Sequence, residues 1–135
     1  MANYCISVDW LQVFCHKTIV IELGNYVGKS LRTYVVEDTG NSTQVFASVY
    51  KIMCKGREVA ILCMHPKSSV ISPFACTLKI DNRLLYHQGY IDYLYDIMYA
   101  LRLDYKGITR LDLCYDCNTL EGGESVSKLL YDCVF

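Results

Sequence analysis

The chain has 135 residues, 53% of them hydrophobic, and a formal net charge of −1, which suits one domain with a real core and is slightly small for two. That balance excludes a protein that binds nucleic acid by bulk charge alone. The longest apolar run, Val59 to Met64, is far too short for a bilayer, and Met1-Ala2-Asn3-Tyr4 has no basic leader pattern, so the chain reads as cytoplasmic with no membrane partner.

The eight cysteines are scattered through strand-like apolar segments and read as buried reduced thiols, not as a disulfide framework. Charge is unevenly placed. Residues 1–90 carry nine Lys or Arg against six Asp or Glu, and residues 91–135 carry four against eight. The first part suits a phosphate backbone and the second a cation.

Taken in order, Cys5 to Phe14 alternates as a long strand, with Ile6, Val8, Trp10 and Phe14 on one side and Cys5, Ser7, Asp9, Leu11 and Val13 on the other. Asp9 is its odd member. It reads either as an ordinary solvent-facing charge or as a carboxylate supplied to a neighbouring strand. Thr18 to Leu23 reads as a second strand ending at a Gly24-Asn25 turn, and Gly28-Lys29-Ser30 lacks the spacing and the helix of a phosphate loop. Leu31 to Val36 is a third strand, followed by a polar loop over residues 37–42.

Thr43 to Cys54 and Arg57 to Met64 flank Lys55-Gly56, which predicts a hairpin with a positive φ at the glycine. Lys51, Lys55 and Arg57 gather toward its tip, either as a solvated strand end or as phosphate contacts. His65-Pro66 is expected to break the sheet, Phe74 to Ile80 to resume it, and Asp81-Asn82 to turn. From Tyr90 to Leu103 the apolar residues recur at helical spacing, with Asp92, Asp96 and Arg102 off the stripe and tyrosines around it.

Asp104 to Gly107 reads as the connection into Ile108-Thr109-Arg110-Leu111-Asp112-Leu113-Cys114-Tyr115-Asp116. As a strand, this stretch puts Leu111, Leu113 and Tyr115 on one face and Arg110, Asp112, Cys114 and Asp116 on the other. At a rise of ~3.3 Å per residue, Asp112 and Asp116 stand roughly 13 Å apart, so they cannot share a cation unless the strand twists or ends between them, and at least one needs a partner from a neighbouring strand. Cys114 and Cys117 point to opposite faces and lack a second pair for zinc. A second helix is expected over residues 125–134, and the apolar end at Phe135 suggests a piece of a longer protein. The whole predicts an α+β fold: a single domain, 1–135, with a mainly antiparallel twisted sheet and one or two helices on one face.

Ile108 to Asp116, together with Ile6-Ser7-Val8-Asp9-Trp10-Leu11-Gln12-Val13, resembles the replication initiation factor family, the Rep proteins that start rolling-circle replication of bacterial plasmids and some phages. Gln44 to Ala60, His65-Pro66-Lys67-Ser68 and Lys79 to Tyr86 are also similar to its members, so the likeness covers nearly the whole chain but only the N-terminal half of a typical member. The resemblance implies a metal-dependent DNA nickase and religase acting on single-stranded or hairpin origin DNA in a bacterial cytoplasm. In such a protein a tyrosine attacks a phosphodiester and keeps the 5′ phosphate.

On that resemblance Asp112, Asp116 and Asp9 would be oxygen ligands for Mg²⁺ or Mn²⁺. Arg110 would act with Asp112 and Asp116 at the catalytic centre, and Lys51, Lys55, Arg57 and Arg110 would contact DNA. It leaves room for a second copy of the chain and a host helicase as partners. The family's Gly-Ser-Arg and Arg-x-Tyr segment is missing, so none of the twelve tyrosines is assigned as nucleophile. Two other readings stay open: a catalytically silent DNA-binding module of the same ancestry, and a small cytosolic interaction protein in which Arg110, Asp112 and Asp116 are a surface ion-pair network.

Overall fold

A computed structural model describes the backbone of residues 4–86 and 89–117, with side chains over 7–86 and 89–113. Seven strands form one sheet: β1 (Tyr4–Lys17), β2 (Gly24–Val27), β3 (Thr33–Asp38), β4 (Phe46–Cys54), β5 (Arg57–Pro66), β6 (Ala75–Ile80) and β7 (Leu103–Cys117). Two helices, α1 (Asn82–Leu85) and α2 (Tyr90–Ala100), lie between β6 and β7 in the chain. The order across the sheet is β2-β3-β4-β5-β6-β1-β7, and every pairing is antiparallel. The α+β architecture with a mainly antiparallel sheet is therefore what the alternating segments and the one helical period predict.

The β2 to β6 portion is a run of sequence neighbours. β1 departs from it, lying between β6 and β7 with both of its partners far downstream in sequence. One sheet face carries the core: Leu11, Val13, Cys15, Tyr34, Val36, Ile52, Ala60, Leu62, Cys76, Leu78 and Ile80 pack with Leu94, Ile97, Met98 and Leu101 of α2. Cys15 and Cys76 are directly paired across β1 and β6, both fully buried, and Cys15, Cys54, Cys63 and Cys76 are all free thiols. Burial, with each thiol near the other, pushes Cys15 up to about 12, and burial pushes Cys76 to about 12.

The β4–β5 turn is a two-residue hairpin with both central residues at positive φ, Lys55 at 53° and Gly56 at 75°, the primed geometry that matches strand twist. Other boundaries move. Residues 18–23 do not form a strand: Thr18 bonds the Arg102 carbonyl through its N–H and its hydroxyl, and Tyr26 folds its hydroxyl back onto the backbone of Glu22. Those tertiary ties override the β-branched propensity of Thr18 to Ile21, and the strand forms at Gly24–Val27, where a turn was expected. β5 runs on through His65 to Pro66, paired with Phe46. Asp81 is not a turn residue but the N-cap of α1, accepting from the Arg83 N–H at 2.9 Å.

α2 ends sooner than its periodicity predicts. Leu101 is its C-cap, and Arg102 takes a positive φ of 52°, the left-handed position after a helix that glycine usually fills. β7 therefore begins at Leu103, and Asp104 to Gly107 are strand residues, not a connection. The expected helix at 125–134 and the side chains of Cys114, Asp116 and Cys117 lie outside the described residues. No helix among the described residues is long and apolar enough to cross a membrane.

Candidate nucleic-acid interface

The core-forming alternation leaves the other face of the sheet to Trp10, Gln12, Phe14 and His16 of β1, with Thr77 and Lys79 of β6 and Arg110 and Asp112 of β7 at paired positions. Val8 packs toward the core although it is two residues from Trp10. The cause is a β-bulge: Val8 pairs with Leu113 and Trp10 with Asp112, so Asp9 is an extra residue that resets the alternation. This corrects the face assignment made from the pattern alone, in which Val8 and Trp10 share a side and Leu11 and Val13 lie opposite the packed one.

Gln12 sits directly between Lys79 on one neighbour and Arg110 on the other. Trp10, one step along β1 on the same face, receives both cations: Lys79 Nζ lies 3.4 Å and Arg110 Cζ 3.9 Å from its ring. Each such contact contributes about 0.5–1 kcal/mol where the cation stays hydrated. The indole Nε1 donates to Gln12 Oε1 at 3.3 Å, which fixes the ring's orientation. Phe14 continues the row, with the His16 ring meeting its edge at 5.4 Å.

Arg110 also grips Asp112, with Nε 3.3 and 3.2 Å from the two carboxylate oxygens and Nη2 2.7 Å from Oδ2. That hydrogen bond, with the cation's charge, holds the Asp112 carboxyl below its usual range and raises Arg110. Both side chains are about half exposed, so the pair adds little to stability. Lys79 has no ion-pair partner among the described residues.

The structure thus brings Arg110 and Asp112 together but does not show them joined by Asp9. The Asp9 carboxylate accepts from the Tyr86 hydroxyl at 2.9 Å, at the end of α1. The bulge leaves Asp9 without a partner on β7, and its bond runs to α1 instead of to Asp112. Asp116 is opposite Cys5 in the ladder, with its side chain outside the described residues. Among the described residues no group of three His, Cys, Asp or Glu could hold a metal ion, and Arg110 contacts both oxygens of Asp112. The basic trio is split as well. Lys51 pairs with Glu37 of β3 at 3.4 Å, while Lys55 and Arg57 stand apart at the hairpin end.

Sequence reasoning passed over Trp10, Gln12 and Lys79. The signal was slight: a single tryptophan in an alternating strand, with nothing to show that β6 and β7 flank it. It also left Asp96 off the helix's buried stripe, yet Asp96 is 6% exposed and holds the β2–β3 loop. Its carboxylate accepts from the Ser30 N–H at 3.0 Å, the Ser30 hydroxyl at 2.6 Å and the Tyr34 hydroxyl at 2.6 Å, with Arg32 at 3.9 Å. Burial disfavours that charge, but those three bonds and the Arg32 cation outweigh it and hold the group below the ordinary value. The Gly28-Lys29-Ser30 segment does cradle an anion, but the anion is this chain's own side chain.

No family model matches the chain, and no curated protein or solved structure matches it either.

Proposed function

We propose that this chain is the DNA-binding sheet of a rolling-circle replication initiator, with origin DNA in single-stranded form lying across the face that carries Trp10. The observation that carries the reading is the Lys79–Trp10–Arg110 array, in which two cations from different strands are held at one aromatic ring on a sheet face that the described residues leave uncovered. An aromatic ring with guanidinium and ammonium groups beside it serves bases through stacking and phosphates through charge, and it does so without reading sequence. A broad sheet face suits an unpaired strand better than the groove of a duplex, which takes a helix or a narrow ribbon. The resemblance adds support, because the two segments that carry it, Ile6 to Val13 and Ile108 to Asp116, are adjacent strands of this sheet. Arg110 would exchange part of its contact with Asp112 for a phosphate, and Gln12 would offer its amide to a base edge.

The proposal is for binding. Nicking needs a tyrosine nucleophile and a ligand set that the described residues do not assemble.

Fluorescence anisotropy with a labelled single strand and the matching duplex tests it. The single strand should bind more tightly, and affinity should fall between about 50 and 200 mM salt. Trp10→Ala with Lys79→Gln should weaken binding at least about tenfold, as expected for one lost stacking contact and one lost charge. No binding of either DNA, or binding indifferent to those changes, overturns the reading.

A further inference from the structure

The end of the sheet marked by the Lys55-Gly56 turn borders a groove of about 940 Å³ that runs between that turn and α1. This is at the upper end of the volumes that enclose small-molecule ligands. Lys55, Arg57 and Arg83 line it together with Leu84 and Tyr93. The charges are not evenly spent. Arg83 is bound at 3.2 Å by Asp81, which also caps α1 through the Arg83 N–H. Lys55 and Arg57 have no ion-pair partner among the described residues, and Glu58 is the carboxylate of the lining left to offset them.

The apolar side of the groove is equally defined. Leu84 and Tyr93 are half buried against the core, and the Arg32 guanidinium lies 4.2 Å from the Tyr93 ring centre. Arg32 itself does not line the groove. Lys55 and Gly56 form a primed turn, so Lys55 within it and Arg57 just after it are presented by a two-residue hairpin end and not by a long loop.

We propose that this groove is a binding site for a nucleoside phosphate, with Lys55 and Arg57 on the phosphate and Tyr93 with Leu84 against the base. Arg57 suits the phosphate oxygens as a planar fork and Lys55 as a point charge. The site does not depend on the sheet-face reading, since it shares no residue with Trp10, Lys79 or Arg110. The same chemistry is presented by a free mononucleotide and by a nucleotide within a strand.

Isothermal titration of the full chain with deoxyadenosine monophosphate, inorganic phosphate, deoxyadenosine and a short single strand tests the site. The Lys55→Asn/Arg57→Gln variant is the probe, since asparagine accepts the left-handed backbone of Lys55. The mononucleotide should bind more tightly than phosphate or the nucleoside alone, and the double variant should lose at least about tenfold of that affinity. Lys67→Gln, at an exposed position that does not line the groove, should leave it unchanged. Strand binding reduced by the double variant, with weak mononucleotide binding, assigns the site to a nucleotide within DNA and also supports the proposal. No mononucleotide binding together with strand binding that survives the double variant overturns it, as does mononucleotide affinity that the double variant leaves intact.

Discussion

The hydroxyl of Tyr34 on β3 donates to the carboxylate of Asp96 on α2 at 2.6 Å, with the tyrosine fully buried and the aspartate 6% exposed. Burial, and then this bond to a carboxylate, pushes the tyrosine's own titration well above its usual value. The pair ties the helix to the far side of the sheet through a single ionised group. Asp96→Asn keeps the shape but places an amide where three donors converge, and should cost about 2–4 kcal/mol of stability by urea denaturation.

The same group sets an acid limit. Its carboxyl is held below the ordinary 3.8 when folded, so its contribution is fully present above that value and is lost as pH falls through the lower folded value. Wild type should therefore lose stability relative to Asp96→Asn between about pH 5 and pH 2 and show no such difference in slope between about pH 6 and 8. Paired denaturation curves across that range check the sign; a gap that widens on acidification would refute it.

Gly28 lies against that carboxylate, and a Cβ added there would overlap the Asp96 side chain. Gly28→Ala should cost about 1–3 kcal/mol, the usual range for overpacking a closed site. In the Asp96→Ala background much of the penalty should vanish, which a double-mutant cycle in urea measures directly.

At the hairpin end the constraint is the backbone alone. A Cβ at Gly56 meets nothing within 4 Å, yet its φ is 75°. Gly56→Ala should cost about 1 kcal/mol and Lys55→Asn close to nothing, as thermal midpoints will show.

Cys15 and Cys76 are both raised to about 12 by burial. Alkylation of the native protein near neutral pH, read by peptide mass mapping, should leave both unmodified, with labelling in urea only. Modification of either under native conditions contradicts their placement.

Much of the sheet is legible in the chain itself, because β4, β5 and β6 are short apolar runs bounded by turn residues and the Lys55-Gly56 pair names its turn. The helix is legible from Ile91, Leu94, Met98 and Leu101. What is not legible is order. β1 lies between β6 and β7, and nothing local in residues 4–17 carries that information. The Lys79–Trp10–Arg110 contact depends on it, so the candidate interface was invisible while its one β7 member, Arg110, stood out. Asp96 was hidden for a related reason: its partners come from the β2–β3 loop and from β3, some 60 residues earlier, and only their convergence makes a charged residue at that helix position tolerable. The bulge at Asp9 shows the opposite failure. One unpaired residue inverts a clean period of two, and a pattern counted through it puts the wrong face on the core.

The place of β1 also governs when the molecule can be finished during synthesis. β1 emerges from the ribosome long before either strand that flanks it, and β7 is the last of the described strands to appear. The β2 to β5 ribbon can zip in sequence as it appears, whereas β1 must wait, with its hydrogen-bonding edges and its tryptophan unsheltered, until β6 and β7 have been translated.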